Sequence, residues 1–124
     1  MARPFKVLVV DDEPEIVQYV EHVLRRLGHE AIGAGNGEEA VQKALKDPPD
    51  LIILDVMMPI IDGFTVCRRL RRDPATSRAR IVMLSANTVR SSNEWEDAGA
   101  DAYLPKPFGA LALMDAVLGR PVRA

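Results

Sequence analysis

Short runs of Val, Ile and Leu recur along the chain at Lys6 to Val10, Asp50 to Leu54 and Ile81 to Leu84. Strands covered on both faces of a parallel sheet read as unbroken apolar runs rather than alternating ones, so these segments predict buried strands. Two weaker strands are expected at His29 to Ala34 and Asp101 to Leu104, each between a helix-ending glycine and a turn. Between them the period lengthens to that of a helix. From Pro14 to Leu27 the residues Ile16, Val17, Val20, Val23, Leu24 and Leu27 share a face, and Gly28 closes the end. Asn36 and Glu39 stand at capping-box spacing before Ala40, Val41, Ala44 and Leu45, and Pro48 and Pro49 stop that helix. Asp62 is placed as the N-cap of a third helix that turns Phe64, Cys67 and Leu70 inward. A fourth helix is expected over about Ser92 to Ala98, and a fifth over Phe108 to Leu118 with Leu111, Met114, Val117 and Leu118 as its apolar stripe.

Strict alternation of strand and helix argues for an α/β domain with a parallel sheet, right-handed crossovers and helices on both faces. With 124 residues the chain fits one domain, residues 1–124. No repeat, low-complexity tract or linker divides it. Sixteen Lys plus Arg against eighteen Asp plus Glu, a net charge of -2, give no general pull toward nucleic acid or an anionic membrane, so neither is an expected partner. The segment Phe5 to Val10 is too short for a membrane span and runs straight into two aspartates, unlike a signal peptide. With a single cysteine, Cys67, no internal disulfide forms, and a cytoplasmic location is expected.

In open parallel sheets the ligand site lies beyond the carboxyl ends of the strands, where the strand order reverses. There the sequence places Asp11 and Asp12 after the first strand, Asp55 after the third, Ser85 after the fourth and Lys106 after the fifth. Clustered aspartates raise one another's pKa unless a cation neutralises them, and oxygen-only ligands suit a hard ion such as Mg²⁺, with Mn²⁺ as its alternative. No glycine-rich phosphate loop follows the first strand; Asp11-Asp12-Glu13-Pro14 would repel phosphate without a metal between. An aspartate can be the nucleophile in phosphoryl transfer, and Asp55, ending the central buried strand Leu51 to Leu54, is the candidate.

From Lys6 to about Leu118 the chain resembles the receiver domains of bacterial two-component response regulators, the chemotaxis-regulator-like superfamily. The resemblance is carried by Asp11-Asp12, by Leu54-Asp55-Val56-Met57-Met58-Pro59 with Asp62-Gly63, by Ser85-Ala86, and by the run from Ala98 to Phe108 through Lys106-Pro107. It implies a doubly wound, flavodoxin-like (βα)5 sandwich with strand order 2-1-3-4-5. It implies that Asp55 accepts a phosphoryl group from a histidine kinase or histidine phosphotransfer protein docked at the first helix. Asp11, Asp12, Asp55 and the Met57 backbone carbonyl would hold the metal, Lys106 and Ser85 would contact the phosphoryl oxygens, and Ser85 and Tyr103 would form the switch pair. Met57 and Asn87 would tune dephosphorylation to an intermediate rate, and the Lys106-Pro107 bond is expected cis. Output would pass through the fourth helix, fifth strand and fifth helix, a face also open to phosphorylation-dependent homodimers. Such a protein is a signalling switch promoting its own phosphorylation and dephosphorylation, not an enzyme on external substrates.

Two other readings compete. A Mg²⁺-dependent phosphohydrolase would want a second aspartate two residues after the nucleophile, where Met57 stands; a pseudo-receiver that only binds proteins would not need the full set of site residues. Arg68, Arg69, Arg71 and Arg72 are expected on the solvated outer face of the third helix. Trp95 divides evenly between binding anchor and packing, His22 and His29 are expected at the surface or a helix edge, and Met57 and Met58 as loop packing. Cognate kinase, output type and oligomeric state leave no mark in the sequence, nor does it distinguish a stand-alone receiver from part of a longer regulator.

Overall fold

The computed structural model describes residues 5–85 and 94–119. In chain order the elements are β1 (Lys6–Val10), α1 (Pro14–Arg26), β2 (Glu30–Ala34), α2 (Gly37–Lys46), β3 (Leu51–Asp55), α3 (Gly63–Arg72), β4 (Arg80–Ser85), α4 (Glu94–Asp97), β5 (Ala102–Pro105) and α5 (Ala110–Leu118). The strands form one sheet of order β2-β1-β3-β4-β5, and every pairing is parallel. The strand order reverses between β1 and β3, so the crevice expected from the sequence opens beside the ends of those two strands.

Alternation along each strand sorts the core into two layers. Val7, Val9, Leu51, Ile53, Val82 and Leu84 pack against Val20 and Leu24 of α1 and Leu113, Ala116 and Val117 of α5. Leu8, Val10, Ile52, Leu54, Ile81 and Met83 pack on the other face against α2, α3 and Ala98. Every residue of β3 is buried, which is why its run reads as unbroken Leu and Ile; β2, at the sheet edge, mixes exposed Glu30 and Ile32 with buried Ala31 and Ala34.

Helix ends follow the residues expected to set them. Asp62 Oδ1 accepts from Thr65 N at 2.9 Å, and Gly28 takes a φ of 90° after α1. At α2, Asn36 Oδ1 accepts from Glu39 N at 2.9 Å, but the Glu39 carboxylate accepts from Gly35 N at 3.4 Å instead of returning to Asn36. The Lys106-Pro107 bond is cis.

Two expectations need correcting. In α5, Leu111 and Leu118 are exposed, and the buried face runs through Leu113, Ala116 and Val117. The helix is apolar almost all round, so its pattern could not choose a face; contact with the sheet and α1 did. Arg71 is not simply solvated like Arg68, Arg69 and Arg72. Its guanidinium donates to the carbonyls of Gly99 (2.8 Å), Ser77 (3.0 Å) and Ala79 and pairs with Asp101 at 2.8 Å, tying α3 to the α4–β5 turn. The planar guanidinium fork meets several acceptors at once, which a position on the helix does not reveal.

Smaller differences concern single side chains. His29 is half-buried, stacks on Phe5 and accepts from its backbone N at 2.9 Å, anchoring the start of β1. Met58 joins the core, while Met57 is exposed. Cys67 is buried and free, and burial pushes its thiol pKa up, as suits a small core residue. Among the described residues no helix is long and apolar enough to cross a membrane.

Candidate functional site

The carboxyl ends of β1, β3 and β5 bring Asp11, Asp12, Asp55 and Lys106 together, and Ser85 ends β4 between the last two strands. Backbone bonds fix these ends relative to one another. Asp11 N donates to Ala34 O (3.1 Å), Val56 N to Leu84 O (2.9 Å) and Lys106 N to Ser85 O (2.7 Å). Gly63, opening α3, sits so close to the end of β3 that a Cβ there would lie 2.2 Å from the Asp55 carbonyl oxygen. Its place after Asp62 in the motif is thus a packing requirement: only hydrogen fits.

Asp11, Asp12 and Asp55 each present a carboxylate oxygen within 4.8 Å of the others. Asp11 and Asp55 are buried, and Asp12 faces solvent. Asp11 Oδ1 accepts from Glu13 N at 2.9 Å, and Asp55 Oδ1 accepts from Met57 N at 3.3 Å. Lys106 Nζ stands 2.8 Å from Asp11 Oδ2, 3.4 Å from Glu13 Oε1 and 3.5 Å from Asp55 Oδ1. The 2.8 Å contact is a close ion pair that leaves the Lys106 ammonium as the one positive group against the buried Asp11 Oδ2 among the described residues.

Electrostatics follow from that crowding. Burial first, then the Asp11 and Asp12 charges, push the Asp55 carboxyl up to about 7 against the pull of Lys106. Burial alone would lower the Lys106 pKa; the Asp11, Asp55 and Glu13 carboxylates reverse this and leave it raised. Three clustered carboxylates and one ammonium make a pocket that is short of positive charge. Together with an all-oxygen donor set, this suits a hard divalent cation.

The Tyr103 ring stacks on Trp95 of α4, centroids 6.3 Å apart and planes at 22°. Trp95 also packs against the core, so the packing reading holds for it. Asn87 lies outside the described residues, as does the start of the expected fourth helix at Ser92. Two residues near the site escaped the sequence reading in their roles. Glu13 touches Lys106, and its signal was the third acid in a row after β1; Gly63 contacts the end of β3, and its signal was a glycine just after a helix cap.

Residues 7–118 match the response regulator receiver domain. The chain is 40% identical over 122 residues to the DNA-binding dual master transcriptional regulator RpaA of Synechocystis, covering 95% of this chain and 51% of that protein. The chain spans about half the length of the curated relatives it matches. Among solved structures it is similar to the chemotaxis response regulator CheY4 of Vibrio cholerae (TM-score 0.90, 36% identity, covering 94% of this chain and 98% of that one). It is also similar to the receiver domain of a Pseudomonas aeruginosa sensor histidine kinase whose structure has a magnesium ion coordinated in the active-site cleft (TM-score 0.85, 30% identity, covering 94% and 97%).

Proposed function

This chain belongs to the response regulator receiver domain family, and we propose that within it Asp55 is the residue that takes the phosphoryl group. The observation that carries this is the convergence of Asp11, Asp12 and Lys106 on the buried Asp55 carboxylate at the end of the central strand. The donor is a sensor histidine kinase or a histidine phosphotransfer protein docked beside α1, in the cytoplasm. The Asp55 carboxylate attacks the phosphorus of the donor phosphohistidine. A P–O bond forms as the P–N bond breaks, and the electron pair leaves on the imidazole nitrogen, which takes a proton from solvent. Oδ1 accepts from the Met57 N–H and lies 3.5 Å from the Lys106 amine, so Oδ2 is the attacking oxygen in this reading.

Asp11, Asp12 and Asp55 with the Met57 carbonyl would hold Mg²⁺, which supplies charge neutralisation for the incoming phosphoryl oxygens. Lys106 then pairs with those oxygens, and the Ser85 hydroxyl donates to one. Tyr103 follows by leaving Trp95 and turning toward the space behind Ser85, which alters the face of α4, β5 and α5. That face reaches an output domain, an output partner or a second copy of the phosphorylated chain. Exposed Met57, beside the acceptor, screens the acyl phosphate from water. Residues 1–124 act as one receiver unit that promotes only its own phosphorylation and dephosphorylation.

The test is intact-protein mass after incubation with Mg²⁺ and acetyl phosphate. The wild type gains one phosphoryl group and Asp55→Ala gains none. No gain in the wild type, with metal binding confirmed by titration, overturns the reading.

A further inference from the structure

Lys106 is shared among three carboxylates, and only two of them belong to the cation-binding cluster. The third is Glu13, whose Oε1 lies 3.4 Å from Nζ, almost the same as the 3.5 Å from Nζ to Asp55 Oδ1. Glu13 holds the N-cap position of α1 with extended backbone, where a short Asp, Asn or Ser side chain would accept a first-turn N–H. Its side chain makes no such bond. Its carboxylate reaches across to the end of β5 instead, from a side chain 57% exposed at the rim to an amine 11% exposed within the pocket.

We propose that Glu13 is a positioning residue that holds Lys106 toward the rim before phosphorylation and yields it to the phosphoryl oxygens afterwards. This rests on the reading of Asp55 as the acceptor and adds a resting position for its lysine. A carboxylate in contact with water holds an ammonium weakly, because water competes and salt screens the pair. A phosphoryl group on Asp55 places more negative charge beside an amine that is only 11% exposed, where the same ammonium is held more strongly. The amine therefore changes partner on phosphorylation. Until then Glu13 draws it away from the acceptor, so Glu13 slows the reaction that Lys106 assists.

The test follows phosphorylation of the full chain with Mg²⁺ and acetyl phosphate by intact mass, separating limiting rate from half-saturating concentration. It compares the wild type with Glu13→Gln and Glu13→Asp, both checked for folding by circular dichroism. Glu13→Gln keeps the length but loses the charge; Glu13→Asp keeps the charge but loses the reach. Both are expected to raise the limiting rate about three- to tenfold. A limiting rate unchanged or lowered in either variant overturns the proposal. So does a change confined to the half-saturating concentration of Glu13→Gln, which would make Glu13 only a charge that repels anionic donors. Phosphorylation of the wild type in the same series is the control: its absence refutes Asp55 as acceptor, whereas its presence with unaltered variants refutes the role of Glu13 alone.

Discussion

Ile60 takes a φ of 75° in the loop after β3 and is 88% exposed. A β-branched side chain in the left-handed region crowds its own carbonyl, at a cost of roughly 1–2 kcal/mol that Asn largely avoids. No packing is lost by replacing so exposed a side chain. Ile60→Asn is thus expected to stabilise the fold by about 1 kcal/mol, seen as a higher urea midpoint with an unchanged slope. A lowered midpoint would mean that the side chain makes a contact worth more than the backbone strain. Asp55 presents the opposite case of a residue whose chemistry conflicts with stability. Its folded pKa, about 7 without metal, lies above the unfolded value of 3.8, so its contribution is fully present below pH 3.8 and lost as pH rises toward 7. Asp55→Asn should therefore stabilise the metal-free protein at pH 8, by at most about 4 kcal/mol, and flatten the loss of stability between pH 4 and 7 in urea titrations. An Asn variant no more stable than wild type at pH 8 would contradict that shift. At this scale the sequence was informative about identity and silent about contact. The acids after β1 and Lys106 before Pro107 could be picked out from their order, but that Glu13 spends its charge on Lys106, rather than on the helix it caps, depends on a meeting that no local pattern records.

Helices and strands were legible where one face is buried and the other is wet, as in α1, or where both faces are buried within a short run, as in β3. They were illegible where composition gave no contrast: α5 offers Leu on opposite sides, and Leu113 rather than Leu111 meets the sheet. Contacts between elements carried similar surprises. Arg71 looked like one of four equivalent arginines, yet it joins α3 to the 77–79 loop and the α4–β5 turn through four acceptors. Lysine keeps the charge and loses the fork, so Arg71→Lys is expected to destabilise by about 2 kcal/mol in urea unfolding; Arg72→Lys, on the exposed side of the same helix, should do nothing measurable. Equal effects of the two would show that the fork has no special role. At the other end of α3, Gly63→Ala must displace the Asp55 carbonyl or the helix start, an overpacking expected to cost about 2–3 kcal/mol. The intact-mass assay should show slower phosphoryl uptake in the same variant, and normal uptake would mean that the strand end tolerates the shift.

Across the whole molecule, the pocket at the ends of β1, β3 and β5 and the ring pair Trp95–Tyr103 at the sheet edge are linked through β4 and β5. Trp95 is the only tryptophan, so its emission reports that edge. Beryllofluoride with Mg²⁺ is expected to change it as Tyr103 leaves the stack, and Tyr103→Leu should abolish most of the change; an emission indifferent to beryllofluoride would mean that Tyr103 stays in place. The parallel topology also spaces the working parts far along the chain. Lys106 lies 93 residues after Glu13, just past β5, while the acidic pair follows β1. A chain still emerging from the ribosome exposes its aspartates long before the lysine exists, and a truncation ending before β5 should take up no phosphoryl group in the mass assay. The pocket is therefore complete only once the segment through Lys106 has been made and folded, so a copy that stops or misfolds before it lacks the amine beside the three carboxylates.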